Sequence, residues 1–285
     1  MRPFLLPMAT NTSALVARSR NRVGVSLRPA LLAVLLGAGF LSHAGAQTSN
    51  GAVASASVLL PPNAAKVPFF VGEKLDYEVR FWSFRVGSGS LEVLGIEDVR
   101  GRPSYHATFK YSGNLASAKV NDSHETWFDV ETLASRRFHQ DIDNPGYDRV
   151  RRFEIFPERG MFKENDKPEE PTTQNPLDDA AFLYFVRTLP LEVGKTYEFS
   201  RYFKAQGNPV KIKVLRKERV KVPAGEFSTI VVQPVIRSKG LFSEGGKAEV
   251  WITDDARRMM VQLKSKVSIG SINLYLKAHN TTAPK

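Results

Sequence analysis

The chain has 285 residues, with 40 Lys and Arg against 29 Asp and Glu, and no cysteine. Within these residues the missing thiols exclude structural disulfides, thiolate zinc centres and a cysteine nucleophile. Aromatic residues make up 10% of the chain, enough apolar surface to exclude a disordered polypeptide.

Five arginines and no carboxylate precede a 12-residue apolar run, Ala30 to Leu41, which closes on Ala44-Gly45-Ala46-Gln47. A basic flank, a short apolar core and an A-x-A exit form a secretory signal peptide over 1–46. The run falls short of the about 20 residues that a spanning helix needs. No adjacent Arg pair precedes it, so the general secretory route is expected, with cleavage after Ala46. Residues 47–285 would then hold 35 basic and 29 acidic side chains, a net charge of +6 where the whole chain has +11. Without a cysteine to carry lipid, the expected product is periplasmic or extracellular and not a lipoprotein.

Residues 47–66 are rich in Ala, Ser, Asn and Pro and read as a flexible tether. A single β-rich domain follows over 67–279, with a tail at 280–285. Leu75-Asp76-Tyr77-Glu78-Val79-Arg80-Phe81 alternates apolar and polar residues, the period of a half-buried strand. Tyr105 to Tyr111, Thr126 to Val130, Val150 to Phe156, Val210 to Val214, Thr229 to Val235 and Ile272 to Leu276 read the same way. Short connections make the strands, about a dozen of them, mostly antiparallel.

One helix is expected near 177–189, capped by Asp178 and ended by Pro190. Phe182, Phe185, Val186 and Leu189 share one of its faces, and Leu183 and Tyr184 make the other side apolar too. Such a helix is buried or lies as a lid on an apolar cavity. The segments on either side of it resemble each other. Gly101, Ser104, Glu125 and Trp127 recur as Gly225, Ser228, Glu249 and Trp251, each 124 positions later, and Arg136-Arg137 is echoed by Arg257-Arg258. The fold expected is therefore mainly β, two similar half-units over about 69–163 and 191–279 around a central helix, as an open barrel or sandwich.

Phe70-Val71-Gly72-Glu73-Lys74-Leu75-Asp76-Tyr77 resembles the opening motif of an exported bacterial family, domain of unknown function 3108 (DUF3108). Pro176-Leu177-Asp178-Asp179-Ala180, Val222-Pro223-Ala224-Gly225-Glu226-Phe227 and Trp251-Ile252-Thr253-Asp254-Asp255-Ala256-Arg257-Arg258 resemble its later landmarks in the same order. Met259-Met260 departs from the proline and aliphatic residue that the pattern leads one to expect. The resemblance implies export and β structure and brings no activity with it. Turn and cap chemistry accounts for each landmark on physical grounds.

No G-x-S-x-G elbow, H-E-x-x-H pair, Walker loop or dinucleotide fingerprint is present, so no enzyme, cofactor or catalytic residue is assigned. His124, Glu125, His139 and Asp141 approach a metal-ligating composition, but adjacent strand residues point to opposite faces, and no metal site is assigned. Lys211, Lys213, Lys217, Arg219 and Lys221 share one parity along an extended run and would form a positive strand face, a solvated surface or a contact for anionic headgroups. Interleaved acidic residues and the expected compartment exclude nucleic acid. Two functions stay open. One is a non-catalytic envelope protein holding a lipid or acyl chain under the helix, against Phe182, Tyr184, Phe185 and Val186. The other is an adaptor docking another envelope protein or a membrane surface, with the helix filling the core.

Overall fold

The computed structural model describes residues 63–115, 118–144, 147–237, 248–266 and 271–280; the expected signal peptide and most of the tether lie outside them. A first antiparallel meander runs through β1 (Lys74–Phe81), β2 (Phe84–Asp98), β3 (Pro103–Leu115), β4 (Ala118–Asp129), β5 (Ser135–Asn144), β6 (Tyr147–Phe156), β7 (Met161–Glu164) and a two-residue β8 (Glu170–Pro171). After the helix α1 (Asp179–Val186), a second takes β9 (Thr196–Phe199), β10 (Val210–Val222), β11 (Gly225–Val235), β12 (Glu249–Thr253), β13 (Met260–Lys266) and β14 (Ser271–His279).

The two meanders join into one sheet of 14 strands because β1 pairs antiparallel with β14. Its free edges are β8 and β9, the strands on either side of α1. The chain around Leu177 bridges part of that opening. The Leu177 amide donates to the Arg201 carbonyl, the Leu177 carbonyl accepts from Phe203 at 3.0 Å, and Ser135 N–H donates to the Pro176 carbonyl at 2.7 Å. The mainly β, open architecture with one central helix is thus the expected one, its two meanders joined into a single curled sheet.

Alternation sets the inside of the sheet. On β1, Leu75, Tyr77 and Val79 are buried, while Asp76, Glu78 and Arg80 turn to the other face. Tyr105, Phe128, Phe138 and Phe153 continue the inner wall on β3 to β6. Helix α1 packs on this wall with every residue from Ala180 to Val186 buried, as its all-round apolar sequence requires. Tyr184 meets Phe69 at 5.1 Å and Phe128 at 5.5 Å, and Phe185 meets Phe199 at 5.2 Å. Burial of a phenylalanine side chain of this kind contributes about 1.5–3 kcal/mol.

Local geometry recurs between the meanders. Gly72 and Gly194, both at positive φ, donate their amides to the carbonyls of Val93 and Val214. Bulges interrupt β2 at Leu94 and β10 at Leu215, and the partners of the two tryptophan strands bulge as well, β5 at Arg136 opposite Trp127/Phe128 and β13 at Val261 opposite Trp251/Ile252. The Trp127 and Trp251 indoles donate to Glu97 and Glu218 in turn. Other sequence echoes do not coincide in space. Ser104 pairs with Glu97 where Thr229, not Ser228, pairs with Glu218, and the hairpin reaching Gly225 is longer than the turn at Gly101. Arg136 and Arg137 lie on β5, whereas Arg257 and Arg258 lie in the turn before β13.

Candidate functional site

Asp178 opens α1. Its Oδ1 accepts from the Ala180 and Ala181 amides at 2.8 and 2.9 Å, and Oδ2 accepts from the Thr126 hydroxyl at 2.6 Å. Burial pushes the Asp178 carboxyl up to about 6, against the opposing pull of those hydrogen bonds. At the other end Arg187 forms a bidentate pair with Glu73 at 2.6 and 2.8 Å and also donates to the carbonyls of Arg257 and Arg258. Three of the motifs that carry the family resemblance therefore converge on the two ends of one helix.

The residues expected to hold an apolar ligand are packed into the core. Phe182, Tyr184, Phe185 and Val186 are 2%, 1%, 7% and 4% exposed. The space between Phe182, Val186, Val232, Val250, Ile252 and Met260 amounts to about 10 Å³. That is the scale of one water molecule, against about 300–1,000 Å³ for a ligand pocket.

The basic stripe needs a correction. Its residues share one parity in sequence, but the bulge at Val214/Arg216 inserts Leu215 and reverses the phase of β10. Ile212 pairs with Pro234, which faces the helix, so Lys211 and Lys213 turn outward before the bulge. Beyond it Lys217 pairs with inward Ile230, and Lys217, Arg219 and Lys221 follow that opposite face. Neighbouring carboxylates pair with three of the five: Lys211 with Glu198 at 3.0 Å, Lys217 with Asp254 at 2.7 Å and Arg219 with Glu226 at 3.0 Å.

On the outer face His106 stacks on Trp127 at 4.3 Å and lies between Glu97 and Glu125, at 2.7 and 2.8 Å. Burial favours protonation of Glu97, yet the hydrogen bonds from Trp127 and His106 outweigh it and hold the carboxyl below its ordinary value. His139 approaches Glu125 at 3.9 Å, and Asp141 pairs with Arg152. His124 projects from the inner face of β4, next to Phe138, away from Glu125. Among the described residues no three His, Cys, Asp or Glu side chains converge as metal ligands.

Two larger spaces lie elsewhere. A groove of about 410 Å³ runs along Asp76, Ser88, Ser90, Lys110, Asn121 and Lys277, the outward residues of adjoining strands. A second pocket of about 270 Å³ lies where the inner wall of β5 and β6 meets the loop before β10. Gln140, Arg151, Asp179, Tyr202, Lys204 and Arg237 line it, over Phe138, Phe153 and Phe203. Apart from Asp179, which lies in a recognised landmark, these polar residues carry no motif. The signal was parity: on β6, Arg151 shares the face of Phe153 and Ile155, which puts a cation on a buried wall.

The profile of the family described as "Protein of unknown function (DUF3108)" matches residues 76–277. No curated protein matches the chain. Among solved structures, a β-barrel-like protein of the DUF1849 family from Brucella abortus is similar with a TM-score of 0.51 and 9% identity, over 75% of this chain and 99% of that one. A protein with a YmcC-like fold from Bacteroides fragilis NCTC 9343 is similar at a TM-score of 0.32 and 10% identity, over 76% of this chain and 100% of that one. At such identities the first likeness shows the fold alone.

Proposed function

Because the chain belongs to the DUF3108 family, whose function is unknown, we propose from its own geometry that it is an exported, non-catalytic envelope module that docks another envelope protein. One observation carries this reading. Among the described residues the space beneath α1 is about 10 Å³, which supports a helix that serves as core over one that covers an acyl chain. Arg28 to Ala46 supplies the export signal on which the envelope location rests.

A docking surface must be found on the outside. Large exposed hydrophobic side chains are few among the described residues, and two of them, Trp82 and Phe84, stand at one hairpin tip, 65% and 73% exposed. An aromatic pair on a β-turn offers an apolar anchor of the kind that dominates protein interfaces. Arg80 and Arg85 flank it and share Glu78.

The test begins with native mass spectrometry and lipid extraction of protein purified from its own periplasm, followed by titration with fluorescent fatty acids. No bound lipid and no fatty-acid binding are expected; stoichiometric lipid would overturn the reading. A photo-crosslinker at Trp82 should then yield a discrete protein adduct in cells, while the same group at exposed Val150 should not. Equal labelling from both positions would remove the hairpin from the interface.

A further inference from the structure

We infer that the pocket at the seam of the two meanders is a binding site for a small organic anion, a carboxylate or a phosphomonoester. It is distinct from the space under α1 and from the hairpin at Trp82.

Three cations line the pocket. Arg151 comes from β6, Lys204 from the loop before β10, and Arg237 from the chain just past β11. Two carboxylates stand near them, Asp179 in the lining and Glu164 behind it. Glu164 is shared: its oxygens lie 3.4 Å from Arg151 Nε, 3.9 Å from Lys204 Nζ and 3.0 Å from Lys167 Nζ. Asp179 accepts from the Tyr202 hydroxyl at 3.1 Å. Positive charge therefore exceeds negative around the cavity, and the contacts to Glu164 from its lining are long.

Arg151 gives the more specific indication. Its Nε is buried and lacks a hydrogen-bond partner, the Glu164 contact being outside hydrogen-bond geometry. One of its terminal nitrogens reaches Gln140 Oε1 only at 3.4 Å. With Nε turned to Glu164 behind the wall, the donors that Arg151 leaves to the pocket are its terminal nitrogens, one of them held only by the long contact to Gln140. A guanidinium prefers a planar, bidentate oxyanion. The floor is already held: Phe153 and Phe203 meet at 5.2 Å, and the Lys204 ammonium lies 4.8 Å from the Phe153 ring centroid. A ligand would find its cations largely in place. At about 270 Å³ the space lies just below the usual range for drug-sized ligands, which fits a small metabolite-sized anion better than a chain.

The full exported protein should be titrated with glycerol 3-phosphate, with malonate and with uncharged glycerol, following the unfolding temperature and the heat of binding. Both anions should bind, more weakly as salt rises, and glycerol should not. Arg151→Gln should weaken binding at least about tenfold. Arg237→Gln, an exposed position that leaves the core intact, should weaken it about threefold and decides the matter if Arg151→Gln fails to fold. Phosphatidylcholine vesicles bearing phosphatidic acid separate a free ligand from a membrane headgroup. Failure of both soluble anions to bind, binding untouched by both substitutions, or binding to the vesicles alone would each overturn the assignment. The first outcome would leave water as the partner of Arg151.

Discussion

Arg187 and Glu73, 114 positions apart, face each other as a bidentate ion pair with side chains only 1% and 4% exposed. The pair ties the end of α1 to the start of β1, and the Arg257 and Arg258 carbonyls bind the same guanidinium from the turn before β13. Both meanders are thus fastened to the helix at one point. Removing one member of such a pair leaves an uncompensated buried charge and costs about 3–5 kcal/mol. Arg187→Met and Glu73→Leu should therefore each lower the unfolding temperature by roughly 6–20 °C. The double variant should recover part of that loss, because it buries no lone charge. Additive losses in a double-mutant cycle would show that the pair is not coupled.

Two groups on the inner wall, buried Asp178 and half-buried His124, give stability opposite dependences on pH. Burial pushes the Asp178 carboxyl up to about 6, while an unfolded aspartate titrates at about 4. Between those values the folded state binds more protons, so this group's contribution to stability falls as pH rises, by about 3 kcal/mol in all. Burial drives the His124 imidazole down to about 4, while an unfolded histidine titrates at about 6.5. There the unfolded state binds more protons, so the contribution rises with pH by about 3 kcal/mol. Asp178→Asn keeps a competent helix cap and removes the falling contribution. Relative to the native protein, it should gain stability from pH 4 to 6.5, and His124→Gln should lose it. Urea unfolding across this window reads both slopes, and parallel curves for the three proteins would contradict them.

The elements that sequence reading located are those whose signals are local. Alternation from Leu75 to Phe81 marks β1, and Asp178, an apolar body and Pro190 bracket α1 within a few residues. The joining of the two meanders through β1 and β14 left no comparable mark, because it depends on pairing between the two ends of the domain. The basic stripe failed for a related reason. Parity holds only while the strand has no bulge, and the extra Leu215 is defined by its partner β11, not by β10 alone. Glu73 lay inside a recognised motif, yet its role became readable only when folding brought Arg187 to it. Arg151 was legible in principle, as a cation in phase with Phe153.

The filled space beneath α1 makes Phe182 a test of what the helix is for. Phe182→Ala should cost about 3–5 kcal/mol, through lost transfer free energy and the cavity left behind. The void would open onto the existing space lined by Val186, Val232, Val250 and Ile252, an apolar wall that can hold a small hydrocarbon. Benzene or indole should therefore raise the unfolding temperature of the variant and leave the native protein unchanged. Equal stabilisation of both proteins would mean that the native interior already accepts apolar guests.

Tyr184 offers the converse experiment, removal of an atom that the fold does not use. Its ring is 1% exposed and packs on Phe69 and Phe128. Its hydroxyl is buried without a hydrogen-bond partner. Burial raises its pKa well above the ordinary tyrosine value, with the Glu73 charge adding to the rise and Arg187 opposing it. The hydroxyl therefore stays neutral and meets the cost of an unmade hydrogen bond, about 1–3 kcal/mol. Tyr184→Phe keeps the ring and deletes that cost, so it should stabilise the protein by about 1 kcal/mol or more in urea unfolding at neutral pH. A loss of stability on the same substitution would mean that the hydroxyl has a partner, such as a trapped water. The region around Glu73 and Arg187 would then be wetter than its packing indicates.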